Sequence, residues 1–325
     1  MRADTAARIA EAIRAAESIF IAAHENPDGD AVGSLLALRS ILLGLGKRVH
    51  AATPTAPPDR FVYLEGFEAI STDPPAERPQ LGIGLDCDGS DRLGALEEAL
   101  LAAEVVVDVD HHGGPETFGD IRLVDPTAAS TTMLVMEIAR ALGIERPSPE
   151  QASALYTGLI ADTGCFRFTN TSPEALRLGA ELVAAGADPS ELSRRVFTIR
   201  PIEAVLLEGR ALSSLRLLEG GVAIASLALD DFAQTGASQE LTEGIIDNFR
   251  DAIGVHAAAL LKESEPGTWQ VSMRGNGVDV ATVAREFGGG GHTFAAGCTI
   301  EGSREAAEER LSAALQRAVR EAASG

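Results

Sequence analysis

The stretch "HENPDGDAVGS", residues 24–34, places His24, Asp28 and Asp30 within seven positions, directly after an apolar run. Asn26-Pro27-Asp28-Gly29 would by itself make a good turn. An imidazole with two carboxylates is also a ligand set for a divalent cation. Three later stretches carry groups of the same kind. "LGIGLDCDGSDRLG" holds Asp86, "VVVDVDHHGG" holds Asp110, His111 and His112, and "QASALYTGLIADTGCFRF" holds Asp162. Each has an ordinary reading when taken singly: Asp86 as a cap, adjacent histidines as surface residues, Asp162 as a turn residue at a helix end. Four such clusters, all at the ends of elements in one half of the chain, point instead to a metal site. Of the six histidines, His24, His111, His112 and His292 fall in clusters, whereas His50 and His256 lie in strand-like segments and read as packing residues.

The elements that must position these groups follow from periodicity. "SIFIAA" (18–23) reads as a buried strand, and "DAVGSLLALRSILLGLG" from Asp30 as a helix ending in glycines. His24, Asp28 and Asp30 therefore fall in a strand-to-helix crossover, where α/β sheets build their sites. "KRVHAAT", "RPQLGIGLD" and "AEVVVDVD" continue the strands, with helical stretches such as 130–142 between them. This βαβ alternation predicts an α/β fold with a parallel sheet covered on both faces. "AAGADPSELSRRVFTIRPIE" (184–203) reads as a connector with a basic helical piece. Beyond it the order is strand "GGVAIASLAL", helix "ELTEGIIDNFRDAIG", strand "VHAAALLKES", turn "EPGT", strand "WQVSMRG", then helix, glycines, strand and a last helix. That is a smaller α/β unit. The expected boundaries are a metal-binding domain over 1–185, a linker over 186–206 and a substrate-binding domain over 207–325.

Composition narrows the function. With 325 residues, 45% hydrophobic and 23% charged, the chain has the make-up of a soluble globular protein of about two domains. No apolar run approaches the ~18 residues of a membrane span, and "MRADTAARIAEAIRAAES" is amphipathic without a signal peptide's apolar core. Three widely spaced cysteines, Cys87, Cys165 and Cys298, form neither a disulfide framework nor a zinc motif, so a reducing cytoplasm is expected. Acidic residues outnumber basic ones 48 to 27, a net charge of −21, which weighs against a broad surface for long nucleic acid. A small anionic substrate remains compatible, because a bound cation reverses the local field.

Two further features bear on substrate. "FGGGGHTFAAG" lacks the Gly-Lys-Ser/Thr ending of a phosphate-binding loop and opens no helix as a dinucleotide fingerprint would. A flexible linker is the plain alternative. Gly289, Gly290 and Gly291 would let backbone approach a ligand, and His292 follows them with Arg274 one strand away, which favours substrate binding. Arg92 reads equally well as a phosphate contact or as a solvated arginine at a helix start.

The ordered set "HENPDGDA", strand-end Asp86, "DHH" and "GLIADTGCFRF" resembles the four motifs of the DHH phosphoesterase superfamily, and "SMRGNGVDVATVAREFGGGGHTFAAG" resembles the motif of its associated C-terminal domain. The resemblance covers nearly the whole chain, without a transmembrane or sensor extension. It implies a parallel-sheet DHH domain, a smaller α/β substrate-binding domain and an active site in the cleft between them. Carried over by position, His24 and Asp28 would hold one metal, Asp30, His111 and Asp162 the other, and Asp86 would bridge them. Asp110 would orient the histidines, and His112 would face the scissile phosphate. The mixed imidazole and carboxylate set is consistent with Mn²⁺, and less so with Mg²⁺, which favours an all-oxygen octahedron. The family often writes DHHxxN, but Gly113, Gly114 and Pro115 follow here, which puts a substrate contact from the missing Asn in doubt.

The likeness is to stand-alone bacterial enzymes that cleave short RNA to mononucleotides and 3′-phosphoadenosine 5′-phosphate (pAp) to AMP, with pApA or cyclic di-AMP as further candidate substrates. Nucleotide bisphosphates and short oligoribonucleotides are thus the implied partners, a homodimer the implied assembly, and no membrane is involved. Pyrophosphatases and polyphosphatases of the same superfamily are the alternative, but they carry a basic clamp where this chain has its glycine-histidine motif. A non-catalytic RNA-binding module is the weakest reading, because every implied ligand is present.

Overall fold

The computed structural model describes residues 2–114 and 118–324, in two compact units, Met1–Ile199 and Arg200–Gly325. The first unit contains α1 (Arg2–Ala15), β1 (Ser18–Ala23), α2 (Gly29–Gly44), β2 (Arg48–Ala52), β3 (Leu81–Leu85), α3 (Glu97–Leu101), β4 (Val105–Asp110), β5 (Ile121–Val124), α4 (Thr131–Ala141), α5 (Pro149–Asp162), α6 (Pro173–Ala185) and α7 (Pro189–Phe197). Its five strands are all parallel, in the order β2-β1-β3-β4-β5. Alternate strand residues serve opposite faces. Ile19, Ile21, Ile83, Val107 and Val109 join the main core with α1, α2, α4 and α5, while Phe20, Ala22 and Val106 meet Leu93, Leu96 and Leu100 on the other face. Helices on both faces explain why these strands read as unbroken apolar runs.

Register matters more for function. Ala23 pairs with Leu85, and Leu85 with Val109. The next residue on each strand is His24, Asp86 and Asp110, so three adjacent parallel strands deliver polar groups side by side at their carboxyl ends. α2 and α5 then bring further groups to the same edge. Their close approach depends on glycine. A Cβ on Gly33 would stand 2.4 Å from the Ala154 carbonyl oxygen, and one on Gly158 would stand 2.5 Å from Thr132 Cγ2.

The second unit contains α8 (Ile202–Ser214), β6 (Arg216–Leu218), β7 (Val222–Leu227), α9 (Leu229–Thr235), α10 (Asp247–Arg250), β8 (Ala257–Glu265), β9 (Thr268–Gly275), α11 (Val280–Glu286), β10 (Gly290–His292), β11 (Ala295–Glu301) and α12 (Arg304–Ser324). The six-stranded sheet runs β10-β11-β9-β8-β7-β6, with β7 and β8 parallel and the other pairs antiparallel. Val222, Ile224, Ala259, Val271 and Met273 face a core shared with α11 and α12. Ala223, Ala225, Ala258 and Leu260 face a smaller core with Leu207, Phe232 and Phe249.

Several expectations need revision. The helix expected over "ELTEGIIDNFRDAIG" breaks into a 3₁₀ turn, Gln239–Thr242, and the single turn α10, because Gly244 takes a φ of +78° between them. His256 is exposed in the loop before β8, where its ring touches the Gly221 backbone, whereas half-buried His50 on β2 lies against Phe20 at 5.5 Å between ring centroids. The division between the two units, at Ile199 and Arg200, falls within the connector expected over 186–206; its helical piece is α7, whose Leu192 enters the core of the first unit, and α8 begins at Ile202. No helix among the described residues is long and apolar enough to cross a membrane.

Candidate active site

Each proposed ligand sits where an element begins or ends. His24 follows β1, Asp86 follows β3, His111 and His112 follow β4, and Asp162 is the last residue of α5. Asp28 is the N-cap of α2, its carboxylate accepting from the backbone N–H groups of Asp30 and Ala31 at 2.9 and 3.1 Å. Asp86 has a φ of +61°, a left-handed conformation that costs a non-glycine residue on the order of 1–3 kcal/mol and tends to survive where function needs it.

The donor atoms converge. Asp86 divides its two oxygens: Oδ2 lies 3.8 Å from His24 Nε2, and Oδ1 lies 3.4 Å from His111 Nε2. His24 Nε2 is also 4.0 Å from Asp28, and His111 Nε2 is 2.9 Å from Asp162 and 3.9 Å from Asp30. His24, Asp28 and Asp86 thus form one group of potential metal ligands, and Asp30, His111 and Asp162 another. A third group overlaps both and joins Asp86 and His111 to Asp110 and His112.

Tautomers follow from the partners. His24 Nδ1 is 2.7 Å from the Glu25 carbonyl oxygen. A carbonyl can only accept, so Nδ1 carries the proton and the Nε2 lone pair faces Asp28 and Asp86. The Arg92 guanidinium, 3.3 Å from the same Nδ1, then meets another donor, and this approach is a contact rather than a hydrogen bond. His112 Nδ1 donates to Asp110 Oδ1 at 2.7 Å, and the His112 backbone N–H donates to the same oxygen at 2.9 Å. Asp110 also accepts from the Asp88 backbone N–H. His112 keeps 43% of its side chain exposed, with Nε2 left for another partner.

The electrostatics show what the site lacks. Burial, followed by the neighbouring Asp86 and Asp162, pushes the Asp30 carboxyl well above its ordinary value. Burial raises Asp162 to about 6, although His111 opposes it. His111 would titrate low through burial, but Asp162, Asp86 and Asp30 hold it up to about 11. Asp110 moves the other way: its hydrogen bonds from His112 and Asp88 outweigh burial and lower it. The Asp110 contact in turn raises His112. Asp28, Asp30, Asp86 and Asp162 are therefore held together with too little positive charge nearby. Among the described residues His111 Nε2 is buried without a hydrogen-bond partner: its 2.9 Å approach to Asp162 lacks hydrogen-bond geometry. A buried nitrogen aimed among three carboxylates fits a cation, so this donor set can hold metal ions.

Sequence reading missed the support beneath Asp30. Its carboxylate accepts from the backbone N–H groups of Thr131 and Thr132, and so caps α4 from another helix. Ser130, the N-cap residue of α4, makes no side-chain cap bond. The Thr131 hydroxyl donates to Asp86 Oδ1 at 3.0 Å. A serine and two threonines before an apolar helix are a helix-start signal, but nothing local reveals a cap supplied from a hundred residues away. Gly114 also has a local reason, since a Cβ there would stand 2.2 Å from Asp88 Oδ1. Pro115 lies outside the described residues.

The remaining predicted residues lie in the second unit. His292 pairs with Ala295, and Ala295 with Arg274, so His292 and Arg274 occupy one cross-strand row and share a sheet face. Gly290 belongs to that face and opens onto free space, whereas Gly289 and Gly291 are confined by β11: a Cβ there would stand 2.2 Å from the Gly297 oxygen and 2.6 Å from the Ala295 oxygen.

Comparison with known proteins shows the family. Residues 18–159 match the DHH family N-terminal domain, and residues 219–323 match the DHHA1 domain. A relative from Thermus thermophilus, named bifunctional oligoribonuclease and PAP phosphatase NrnA, is 35% identical over 299 residues, 90% of this chain and 88% of that protein. The chain belongs to the DHH phosphoesterase family. A Bacillus subtilis relative of the same name is 24% identical over 92% of this chain and 94% of its own. Among solved structures, an exopolyphosphatase-related protein from Bacteroides fragilis aligns with a TM-score of 0.88 at 25% identity, covering 98% of this chain and 97% of that one. RecJ of Thermus thermophilus in complex with Mn²⁺ aligns at 0.55 with 18% identity, over 98% of this chain and 55% of that one, and shares the fold.

Proposed function

We propose that this DHH-family phosphoesterase hydrolyses short RNA to mononucleotides and pAp to AMP, with His24 and Asp28 holding one divalent cation, Asp30, His111 and Asp162 a second, and Asp86 bridging. The division of the Asp86 oxygens between the two groups carries this reading. Divalent cations held by these residues would lower the pKa of a bound water and stabilise charge on the attacking and leaving oxygens of the phosphoryl group. The chain's own residues do the rest. The Glu25 carbonyl fixes the His24 tautomer, and the α4 N-terminus and Thr131 fix Asp30 and Asp86. Asp110 holds His112 by Nδ1, so that Nε2 can meet a phosphate oxygen or a leaving group. Imidazole beside carboxylate suits Mn²⁺ better than Mg²⁺.

In the second unit, Arg274, Ser272, Gly290, Gly297 and His292 share a face on which none of them is buried. Among the described residues Arg274 bonds the carbonyl of its neighbour Met273 and no carboxylate, which leaves its charge for a substrate phosphate. Substrate length follows from charge. At −21, each added phosphate meets a repulsive field that salt screens over about 8 Å at physiological strength.

The test is a parallel assay of purified protein with Mn²⁺ on pAp, pApA, cyclic di-AMP, 5-mer RNA and pyrophosphate, followed by competition between 5-mer and 24-mer RNA at two salt concentrations. Turnover of pAp and the 5-mer is expected, with the penalty on the 24-mer shrinking at high salt. Dominant pyrophosphate cleavage would move the assignment to the pyrophosphatase branch. Equal kcat/KM for both RNA lengths at low salt would remove the short-substrate reading.

A further inference from the structure

The chain leaves Asp162 through an unusual turn. Gly164, Cys165 and Phe166 have φ values of +56°, +57° and +63°, three successive residues in the left-handed region. For the two that are not glycine this conformation costs roughly 1–2 kcal/mol each, so the surrounding structure must hold it in place. Phe166 turns inward, edge-on to Tyr156 at 6.2 Å and against Gly179. The Thr163 carbonyl oxygen accepts from the backbone N–H groups of Arg167 and Phe168 at 2.9 and 3.0 Å. Arg167 Nε donates to the Gly164 carbonyl at 2.7 Å. Asn170 Nδ2 donates to the Asp162 and Ala129 carbonyls at 3.1 and 3.2 Å, which ties the far side of the loop to the last residue of α5 and to the segment before α4.

This framework presents one side chain outward. Phe168 is 48% exposed, and its ring lies on Gly164: a Cβ there would stand 2.5, 2.6 and 2.7 Å from Cζ, Cε1 and Cε2. Three adjacent ring carbons at nearly equal distance from one point mean that the ring rests face-on against the glycine backbone, leaving its opposite face open. No ring contact within the protein covers that face among the described residues. The ring's seat, Gly164, is two residues from Asp162.

We propose that the open face of Phe168 is a stacking platform for the nucleobase of the nucleotide whose phosphate is cleaved beside Asp162. The proposal rests on the reading of the substrate as a nucleotide. The strained turn would then serve to set a flat apolar surface at the rim of a cluster that otherwise offers only charged and polar groups. Stacking on an aromatic side chain contributes about 1–3 kcal/mol per base and tolerates any base, as cleavage of RNA to mononucleotides requires.

Two experiments test it. In steady-state kinetics with Mn²⁺, Phe168→Ala should raise KM for pAp by about ten-fold, a value inside the range that stacking allows, with kcat and bound metal unchanged. Phe168→Leu, which keeps apolar cover over Gly164 without a π face, should resemble Phe168→Ala, and Phe168→Tyr should resemble wild type. KM for the abasic ribose 3,5-bisphosphate should be the same in all four proteins. Retention of affinity in Phe168→Leu, or an equal KM rise on the abasic compound, would show that Phe168 only supports the loop and would overturn the proposal.

The second readout does not depend on turnover. Trp269 is the sole tryptophan and is 2% exposed, so Phe168→Trp introduces a solvent-facing fluorophore. Titration of metal-loaded Phe168→Trp with AMP should quench the new emission saturably, and ribose 5-phosphate should not. Equal quenching by both, or none by AMP, would sink the stacking role. If wild type cleaves neither pAp nor short RNA, the functional assignment fails in the kinetic assay, while the AMP titration still decides whether Phe168 receives a base.

Discussion

Gly158 lies in the middle of α5, where alanine would normally favour a helix by about 1 kcal/mol. Here the structure predicts the opposite. The added methyl carbon would stand 2.5 Å from Thr132 Cγ2 and 2.7 Å from Asp30 Oδ1. Ordinary contact begins near 3.5 Å, so the Asp30 carboxylate must retreat by roughly 0.8 Å and the start of α4 by roughly 1 Å. Overpacking of this kind costs about 1–3 kcal/mol, which for a unit of this size lowers Tm by about 3–10 °C. Metal–ligand distances tolerate only about 0.2 Å, so Gly158→Ala should also weaken Mn²⁺ binding by about 10–100-fold, as loss of a residue that orients a ligand does. Gly33→Ala is the control. Its methyl would press on α5, at the Ala154 oxygen at 2.4 Å and the Gly158 nitrogen at 3.0 Å, and the three atoms nearest to it belong to Ala154 and Gly158. Both variants should lose stability to a similar degree, and only Gly158→Ala should lose affinity. Calorimetric titration with Mn²⁺ and thermal melts of the three proteins decide it. Unchanged affinity in Gly158→Ala, or equal losses in both variants, would refute the role given to Asp30.

The two histidines after β4 should separate. His111→Ala should lower metal content after dialysis, measured by elemental analysis, whereas His112→Ala should keep the metal and lose about 10²–10⁴-fold in kcat. Thr131→Val removes the hydroxyl bonded to Asp86 while keeping the backbone N–H to Asp30, and should weaken Mn²⁺ binding by about ten-fold with little change in Tm. Stability should depend on pH in a metal-linked way. A carboxyl raised in the folded state, such as Asp162 at about 6, stabilises the fold below its unfolded value near 4 and loses that contribution as pH climbs through 6. Asp30 acts in the same direction, and His111, held to about 11, extends the loss to the alkaline side. Bound cations displace those protons, so the rise in Tm caused by Mn²⁺ should grow between pH 5 and pH 7.5; a rise independent of pH would contradict this account.

The site was legible in the sequence to the extent that its chemistry sits at element ends. Parallel strands that are buried on both faces read as apolar runs, so the polar residue that ends each run marks the sheet's carboxyl edge. His24, Asp86 and Asp110 could be placed on that logic, and Asp28 and Asp30 by the helix that follows them. What sequence could not show was pairing across distance. The cap that Asp30 gives to α4 joins residues a hundred apart, and the division of the Asp86 oxygens depends on the register of three strands. In the second unit, a helical pattern over 240–254 was defeated by the positive φ of Gly244, a backbone property that apolar spacing does not encode. The glycine run was legible as a binding loop in preference to a linker, on the strength of His292 and Arg274 beside it, but not glycine by glycine. The structure divides it: Gly289 and Gly291 are confined by β11, and Gly290 faces open space.

The metal site and the fold are therefore one problem. Four carboxylates converge where three strands and α5 end and α2 begins, and Asp30 and Asp86 are almost wholly buried there. Uncompensated, such a cluster would oppose folding, because buried charge of one sign is strongly disfavoured. Two features of the chain reduce that opposition without removing it: the N-terminus of α4, whose free N–H groups meet Asp30, and His111, kept protonated by the carboxylates around it. Both are partial substitutes for a cation. A proton or a bound cation would relieve the crowding of these carboxylates, and near pH 7 a divalent ion would satisfy more of them at once than His111 can. A chain built in this way should be most stable when loaded and should release protons as it loads.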